Sequence, residues 1–387
     1  HEGDGDMSYS KAQIANLCTL VTSGGTPLTS VPAYYDPKEI PWLKTGEVNY
    51  CRIYDTESYI SKEGLARSSA KMIPANSVVV AMYGQGDTAG RVAINKIPLS
   101  TNQACCNLVI NHVIADYEYV YYALCTLYDR LVALKNGGAQ PNLNAKKIKA
   151  IEIPFPDLET QRTIASVLGA YDNLIENNQK QIKLLEEAAQ RLYKEWFIDL
   201  RFPGHETTPI VDGVPEGWAS MAMNDIAEYI NGYAFKPSDW GTKGKPIIKI
   251  KEMGSGITAD TPRNRGEGIP AKYIVTAGDI LFSWSATLSA MIWDEEDGLL
   301  NQHLFKVIPH NGISREFILQ SILKALDEFS NLTTGSTMKH IQRGKLKEVF
   351  VNVPDNVTMR KYEFISEPMR EHILILKKQI ILLKEAR

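Results

Sequence analysis

The second half of this chain repeats the first, and no other feature constrains its fold as strongly. Gly137, Ile148, Ile151, Ile153 and Pro156 recur at a constant shift of 198 as Gly335, Leu346, Val349, Val351 and Pro354. The same shift carries Arg162 onto Arg360, Ile175 onto Ile373, Gln181-Ile182 onto Gln379-Ile380 and Leu184-Leu185 onto Leu382-Leu383 without a gap. Upstream the match loosens. Asn102-Gln103 returns as Asn301-Gln302, Pro41-Trp42-Leu43 faces Pro246-Ile247-Ile248 at a shift of 205, and the apolar run 78–82 faces 280–283 at 202. Shifts that change along the chain are the mark of two homologous modules whose loops differ in length. With 387 residues, 44% of them apolar, there is room and apolar surface for two such modules, which excludes a disordered or fibrous protein.

Each module changes periodicity part-way. Residues 7–156 and 201–355 are rich in Gly, Pro and short β-like runs such as Val78 to Met82 and Ile280 to Trp284, which predicts α+β globular units. Tyr117 to Leu134 and Arg315 to Leu332 each read as one amphipathic helix. Residues 157–200 and 356–387 read as long helices. The first contains no Pro, and its seam of Ile164, Leu168, Tyr171, Ile175, Asn178, Ile182, Leu185, Ala189, Leu192 and Trp196 steps by four and three throughout. That is a coiled-coil heptad, and Asn178, its one polar member, is the type of residue that sets register. The second helix supplies Tyr362, Met369, Ile373, Leu376, Ile380 and Leu383, with Leu376 at the position of Asn178. Two seams in one chain predict an antiparallel pair about 50 Å long at ~1.5 Å per residue, a ruler between the modules. The second helix stops at Arg387, short of counterparts to Leu192, Tyr193, Trp196 and Phe197, and residues 1–6 read as an added segment before an initiator Met7.

The chemistry of catalysis is missing from this pattern. There is no GxxxxGK[ST] loop, no HExxH, no CxxC, no GxSxG, and no Asn-Pro-Pro-aromatic or Asp-Pro-Pro-aromatic motif. We therefore assign no catalytic and no metal-binding residue. The five cysteines are odd in number and include the adjacent pair Cys105-Cys106, which suits a reducing cytoplasm better than a disulfide framework. No apolar run reaches the ~20 residues of a membrane span.

The net charge of −3 gives no global positive field, so a polyanion surface must be local. Positive charge collects in the globular units. The first has Gln140, Asn142, Lys146 and Lys147; the matching span of the second has Lys339, His340, Arg343 and Lys345, and there is a further cluster of Lys249, Lys251, Arg263 and Arg265. Lys and Arg bind phosphate or guanine, while Asn and Gln bind adenine edges, so these twelve residues are the DNA-binding candidates.

At this point the chain resembles the DNA-specificity subunits of type I restriction-modification systems. The resemblance rests on Gly137 to Leu143, Ile151 to Ala165, Tyr171 to Ile175, the run Leu184 to Leu200 ending in Tyr-Lys-Glu-Trp-Phe-Ile-Asp-Leu, and Pro215-Glu-Gly-Trp218. It implies two target-recognition domains (7–156 and 201–355) alternating with two spacer helices (157–200 and 356–387) that pack as an antiparallel coiled coil through Ile175, Asn178, Ile182, Leu185, Ile373, Leu376, Ile380 and Leu383. It further implies that each domain reads one half of a bipartite double-stranded DNA target. Such a subunit binds no cofactor itself. S-adenosylmethionine, ATP and Mg2+ belong to its partners, two methylation subunits and a motor-nuclease subunit. The alternatives are a stand-alone restriction endonuclease or methyltransferase with an unrecognised active site, or a coiled-coil structural protein with carbohydrate or protein ligands. Only a DNA reader predicts affinity that falls steeply with salt.

Overall fold

A computed structural model of the chain describes residues 9–84, 86–135, 142–285, 287–331 and 343–387. In the first module Lys11–Gln13 (β1) and Cys18–Ser23 (β2) flank one helical turn, Ile14–Leu17 (α1). Ile40–Leu43 (β3), Cys51–Ile53 (β4), Tyr59–Ile60 (β5) and Lys62–Ala66 (α2) follow. Next come Met72–Ile73 (β6), Ser77–Ala81 (β7), Val92–Asn95 (β8), Leu99–Thr101 (β9) and Cys105–Ile110 (β10). The strands form two sheets, ordered β2-β10-β7-β8-β4 and β5-β3-β9-β6. Every residue of β7 is buried because the strand lies between two cores. Its Val78 and Val80 face Leu108 and Tyr121, while Val79 and Ala81 face Leu43 and Leu99.

Tyr117 to Leu134 is two helices, Tyr117–Cys125 (α3) and Tyr128–Ala133 (α4), rather than the one its periodicity predicts. The Thr126 hydroxyl donates back to the Ala123 carbonyl (2.8 Å) and the α3 ladder ends there, with neither Gly nor Pro to announce the break. Ala145–Lys149 (α5) and Glu152–Pro154 (β11) follow, and β11 pairs antiparallel with β1.

The long helix Leu158–Tyr193 (α6) starts at Asp157, whose carboxylate accepts from the Thr160 N–H (3.0 Å) and hydroxyl (2.8 Å). It runs into a π turn, Lys194–Ile198. A small hairpin, Ile210–Val211 (β12) with Val214–Pro215 (β13), leads to the second module. Ala219–Ala222 (β14), Met223–Ile226 (α7), Ala227–Asn231 (β15), Lys245–Ile248 (β16), Ile250–Ser255 (α8), Arg263–Asn264 (β17) and Ile274–Val275 (β18) come first. Ile280–Ser283 (β19), Ser289–Ile292 (β20), Gly298–Leu300 (β21), Leu304–Pro309 (β22), Arg315–Asn331 (α9) and Phe350–Val353 (β23) complete it. The last helix, Asn356–Ala386 (α10), begins at Asp355, which accepts from Thr358 as Asp157 does from Thr160.

The repeat survives as sheet order. The second module's sheets run β15-β22-β19-β20 and β17-β16-β21-β18, matching those two sheets of the first module strand for strand except that β4 has no counterpart among the described residues. The parallel pair of β3 and β9 in the first module's four-stranded sheet is kept in β17-β16-β21-β18: Trp42 faces Ser100 across β3 and β9, and Ile247 faces Leu299 across β16 and β21.

The chain divides into two compact units, one up to Leu174 with Arg387 and one spanning Ile175–Ala386, so α6 contributes to both. In the first unit Ala165 is part of the module core, and Ile164 and Leu168 pack against it. The upstream end of the heptad face therefore buries against globular structure. In the second unit the downstream end lies antiparallel to α10: the Asn178 amide donates to the Gln379 side chain (3.1 Å), and Trp196 meets Tyr362 at 6.0 Å. Ile175, Asn178, Leu376 and Ile380 are buried, and Ile182, Leu185, Ile373 and Leu383 are half-buried. The partner of Asn178 is Gln379, three residues beyond Leu376. Asn178→Leu is expected to raise the thermal midpoint, since a polar residue in such a seam trades stability for register; a lower midpoint would show that the bond to Gln379 outweighs apolar burial.

All five cysteines are free thiols in the first module. Burial pushes Cys18, Cys106 and Cys125 up to about 12, and Cys105 is raised by the same cause. Groups whose folded pKa is raised stabilise fully below the unfolded value, and that stability is lost as pH climbs toward the folded one. The urea midpoint of the first unit is expected to fall between about pH 9 and pH 12; a midpoint flat to pH 11 would contradict this.

Candidate nucleic-acid interface

In the first module the candidate cations sit on and around α5. Gln140 lies outside the described residues. Asn142 is exposed, and the next residue ties the segment down, because the Leu143 N–H donates to the Met82 carbonyl at the end of β7 (3.0 Å). Asn144 caps α5 by accepting from the Lys147 N–H (3.0 Å). Lys146 is exposed. Lys147 is half-buried, and its ammonium donates to the Leu134 carbonyl at the end of α4, where a cation suits the unpaired carbonyls.

In the second module Lys339 and His340 lie outside the described residues, and Arg343 opens a 3-10 turn, Arg343–Lys347. Within that turn Lys345 pairs with Glu348 (2.7 Å). Arg263 donates to both oxygens of Glu296 (2.6 and 3.3 Å) and to the Gly244 carbonyl (3.0 Å). These partners hold the guanidinium in the hairpin of β16 and β17. Lys245, nearby, pairs with Asp297 (3.2 Å). Lys251 and Arg265 are exposed, as are Lys236 and Lys243, and none of the four has an ion-pair partner among the described residues. Arg265 and Lys243 line a shallow depression with Trp240, an indole 48% exposed. Lys249 places its ammonium 5.0 Å from the centre of that indole. The structure thus gathers Lys243, Lys249, Arg263 and Arg265 around one aromatic surface, of the kind on which nucleic-acid bases and sugars rest.

One lysine that charge clustering does not pick out is Lys44. It follows β3 as Lys249 follows β16, it is exposed, and its ammonium lies 5.2 Å from the Trp42 ring. Its only sequence signal is the shift of 205 that relates the two strands. Both lysines adjoin the Asn-Gln repeat, for the Asn102 N–H donates to the Leu43 carbonyl (2.9 Å) and the Asn301 N–H to the Ile248 carbonyl (3.0 Å). Glycines make these turns possible. A Cβ on Gly24 would lie 2.1 Å from the Thr101 carbonyl oxygen, and one on Gly232 would lie 2.1 Å from the Asn301 carbonyl oxygen.

Among the described residues no group of three or more His, Cys, Asp or Glu side chains could hold a metal ion, and no helix is long and apolar enough to cross a membrane.

Comparison with known proteins agrees with this architecture. The family described as "Type I restriction modification DNA specificity domain" matches residues 8–187 and again 215–381. The MjaIX type I restriction enzyme specificity subunit of Methanocaldococcus jannaschii is 26% identical over 390 residues, covering 95% of this chain and 88% of that protein. The EcoR124I/EcoR124II specificity subunit of Escherichia coli is 29% identical over 189 residues, covering 48% of this chain and 46% of its own length. The crystal structure of the S subunit of a type I restriction-modification system from M. genitalium shares the fold with a TM-score of 0.60 at 15% identity, covering 100% of this chain and 96% of that one.

Proposed function

We propose, because the chain belongs to the type I restriction modification DNA specificity family, that it is the DNA-reading subunit of such a system and leaves catalysis to its partners. The observation that carries this reading is the duplicated module with two sheets in matching order, each copy followed by a long helix that starts at an Asp-x-x-Thr cap. Each module reads one half of a bipartite duplex target. The helices set the spacer: α6 has 36 residues and is about 54 Å long at ~1.5 Å per residue, against roughly 34 to 36 Å for one turn of B-DNA.

Two methylation subunits using S-adenosylmethionine, and a motor-nuclease subunit using ATP and Mg2+, supply the chemistry. A docking place for a methylation subunit lies at the start of α10, where Trp196, Pro203, Val357, Phe364 and Ile365 form an apolar groove rimmed by Arg360 and Lys361. Among the described residues no carboxylate lines it, and Phe364 is 83% exposed, which favours an acidic segment with an apolar anchor. At the matching positions the first helix carries Glu159, Thr163 and Ser166 instead of Val357, Lys361 and Phe364, so the two helices offer their partners different faces. Phe364→Asp is expected to weaken methylation-subunit association about 30-fold, the loss of one interface anchor of ~2 kcal/mol. Sedimentation of the mixed subunits measures it, and unchanged association would remove the groove from the docking surface.

The reading is tested by co-expression with the methylation subunit in a methylation-free host, followed by sequencing that detects modified adenine. A split motif with a fixed spacer is expected. No modification, or a continuous motif, would refute the two-reader arrangement, and a purified chain that alone methylated or cut DNA would favour the enzyme alternative.

A further inference from the structure

The segments 32–47 and 237–252 are equivalent at a constant shift of 205, and their local geometry has been kept while the loops around them diverged. Each begins with a 3-10 turn led by proline, Pro32–Tyr34 and Pro237–Asp239, followed by an aromatic residue, Tyr35 and Trp240. Each continues through the strand that pairs in parallel, β3 or β16, and ends at a lysine, Lys44 or Lys249. In both, the lysine N–H donates to a glutamate three residues on, Glu47 or Glu252, at 3.1 Å. In both, the ammonium lies over an indole, supplied from different positions: Trp42, two residues before Lys44, at 5.2 Å, and Trp240, at the place of Tyr35, at 5.0 Å from Lys249.

The two glutamates do not neutralise these cations. The other oxygen of Glu47 accepts from the Glu57 N–H (2.9 Å), and the other oxygen of Glu252 from the Thr261 hydroxyl (3.3 Å). Neither Lys44 nor Lys249 has an ion-pair partner among the described residues. A lysine side chain resting on an indole has already given up part of its rotamer freedom, so less is lost when it binds an anion. Lys44 is exposed and Lys249 is half-buried. Two modules that diverged in loop length have each kept a lysine at the end of the same strand, and each rests it on an indole supplied by a different neighbour.

We propose that Lys44 and Lys249 are the equivalent phosphate-binding lysines by which the two modules seat duplex DNA, each at its own half-site. The proposal rests on the DNA-reading function and goes beyond it in assigning the seat to the β3 and β16 ends rather than to α5, where Lys147 is engaged by the Leu134 carbonyl.

The test uses the full chain in complex with its methylation subunits, bound to a duplex carrying the motif found by methylation sequencing, titrated between about 50 and 200 mM salt. Lys44→Ala and Lys249→Ala should each weaken binding by about tenfold and reduce the slope of log affinity against log salt by ~0.9, the signature of one lost phosphate contact. The double variant should lose ~1.8, because the sites lie in separate modules. Lys44→Arg and Lys249→Arg should restore the slope. Lys44→Gln and Lys249→Gln, compared by circular dichroism, keep the test valid where the Ala variants fold poorly. An unchanged slope in a folded variant, even with weaker binding, would overturn the proposal, because a merely structural lysine alters affinity without altering counterion release. A wild-type complex without salt-dependent DNA affinity would instead overturn the DNA-reading function itself.

Discussion

Phe197→Ala is expected to destabilise the second unit by about 3 to 5 kcal/mol. Phe197 is 1% exposed, and its ring is surrounded by five others. Phe317 of α9 lies at 4.9 Å edge-on, Tyr362 of α10 at 4.9 Å, Tyr193 at 5.2 Å, Trp218 at 5.7 Å and Trp196 at 6.3 Å. Those neighbours come from four separate stretches of chain, so removing the ring leaves a cavity that no one element can close by shifting. Trp196 and Phe197 are both buried within the π turn at Lys194–Ile198. Urea denaturation followed by the near-ultraviolet signal of the aromatic cluster measures the loss. A cost below about 1 kcal/mol would mean that the neighbouring rings collapse into the space.

Gly24→Ala and Gly232→Ala are expected to cost about 2 to 3 kcal/mol each in their own modules. The added methyl of Gly24→Ala would meet the Thr101 carbonyl oxygen at 2.1 Å and the Asn102 carbonyl oxygen at 2.3 Å; that of Gly232→Ala would meet the Asn301 and Leu300 carbonyl oxygens at 2.1 and 2.7 Å. Main-chain atoms cannot rotate away as a side chain does, so the Asn-Gln turn itself must move. With it would move the hydrogen bonds to Leu43 and Ile248 that adjoin Lys44 and Lys249. Hydrogen exchange should show the largest loss of protection in the substituted module, with DNA affinity falling in parallel. Wild-type protection at Asn102 or Asn301 in the respective variant would refute the account.

The parts of this architecture that repeat with a fixed period were legible from residues alone. The four-three steps from Ile164 to Trp196 have one physical reading, a helix with a narrow apolar face, and α6 follows it. What periodicity does not convey is which structure covers that face. Ile164 and Leu168 meet the first module's core while Asn178 meets α10, and the same apolar residue types serve both. The strands were harder because many have only two to four residues, too few for an alternation to register, and β7 is apolar throughout because both of its faces are buried. The basic clusters were legible as composition, but whether a cation is free depends on residues distant in sequence: Glu296 for Arg263, the Leu134 carbonyl for Lys147. Lys44 stands in a stretch of ordinary charge, and only its strand's equivalence to β16 brings it into view.

The boundary between the two compact units falls at Leu174 and Ile175, inside α6, where the ladder of main-chain hydrogen bonds continues unbroken. The cores are separate but the helix is held in common, so neither core can melt and unwind its share without fraying turns on which the other is built. In the language of cooperative transitions, the chain is two coupled sites with a positive nearest-neighbour term and no free linker between them. A module loosened at one end of the chain is thereby felt at the other as a loss of folding free energy, without any contact between the cores being required.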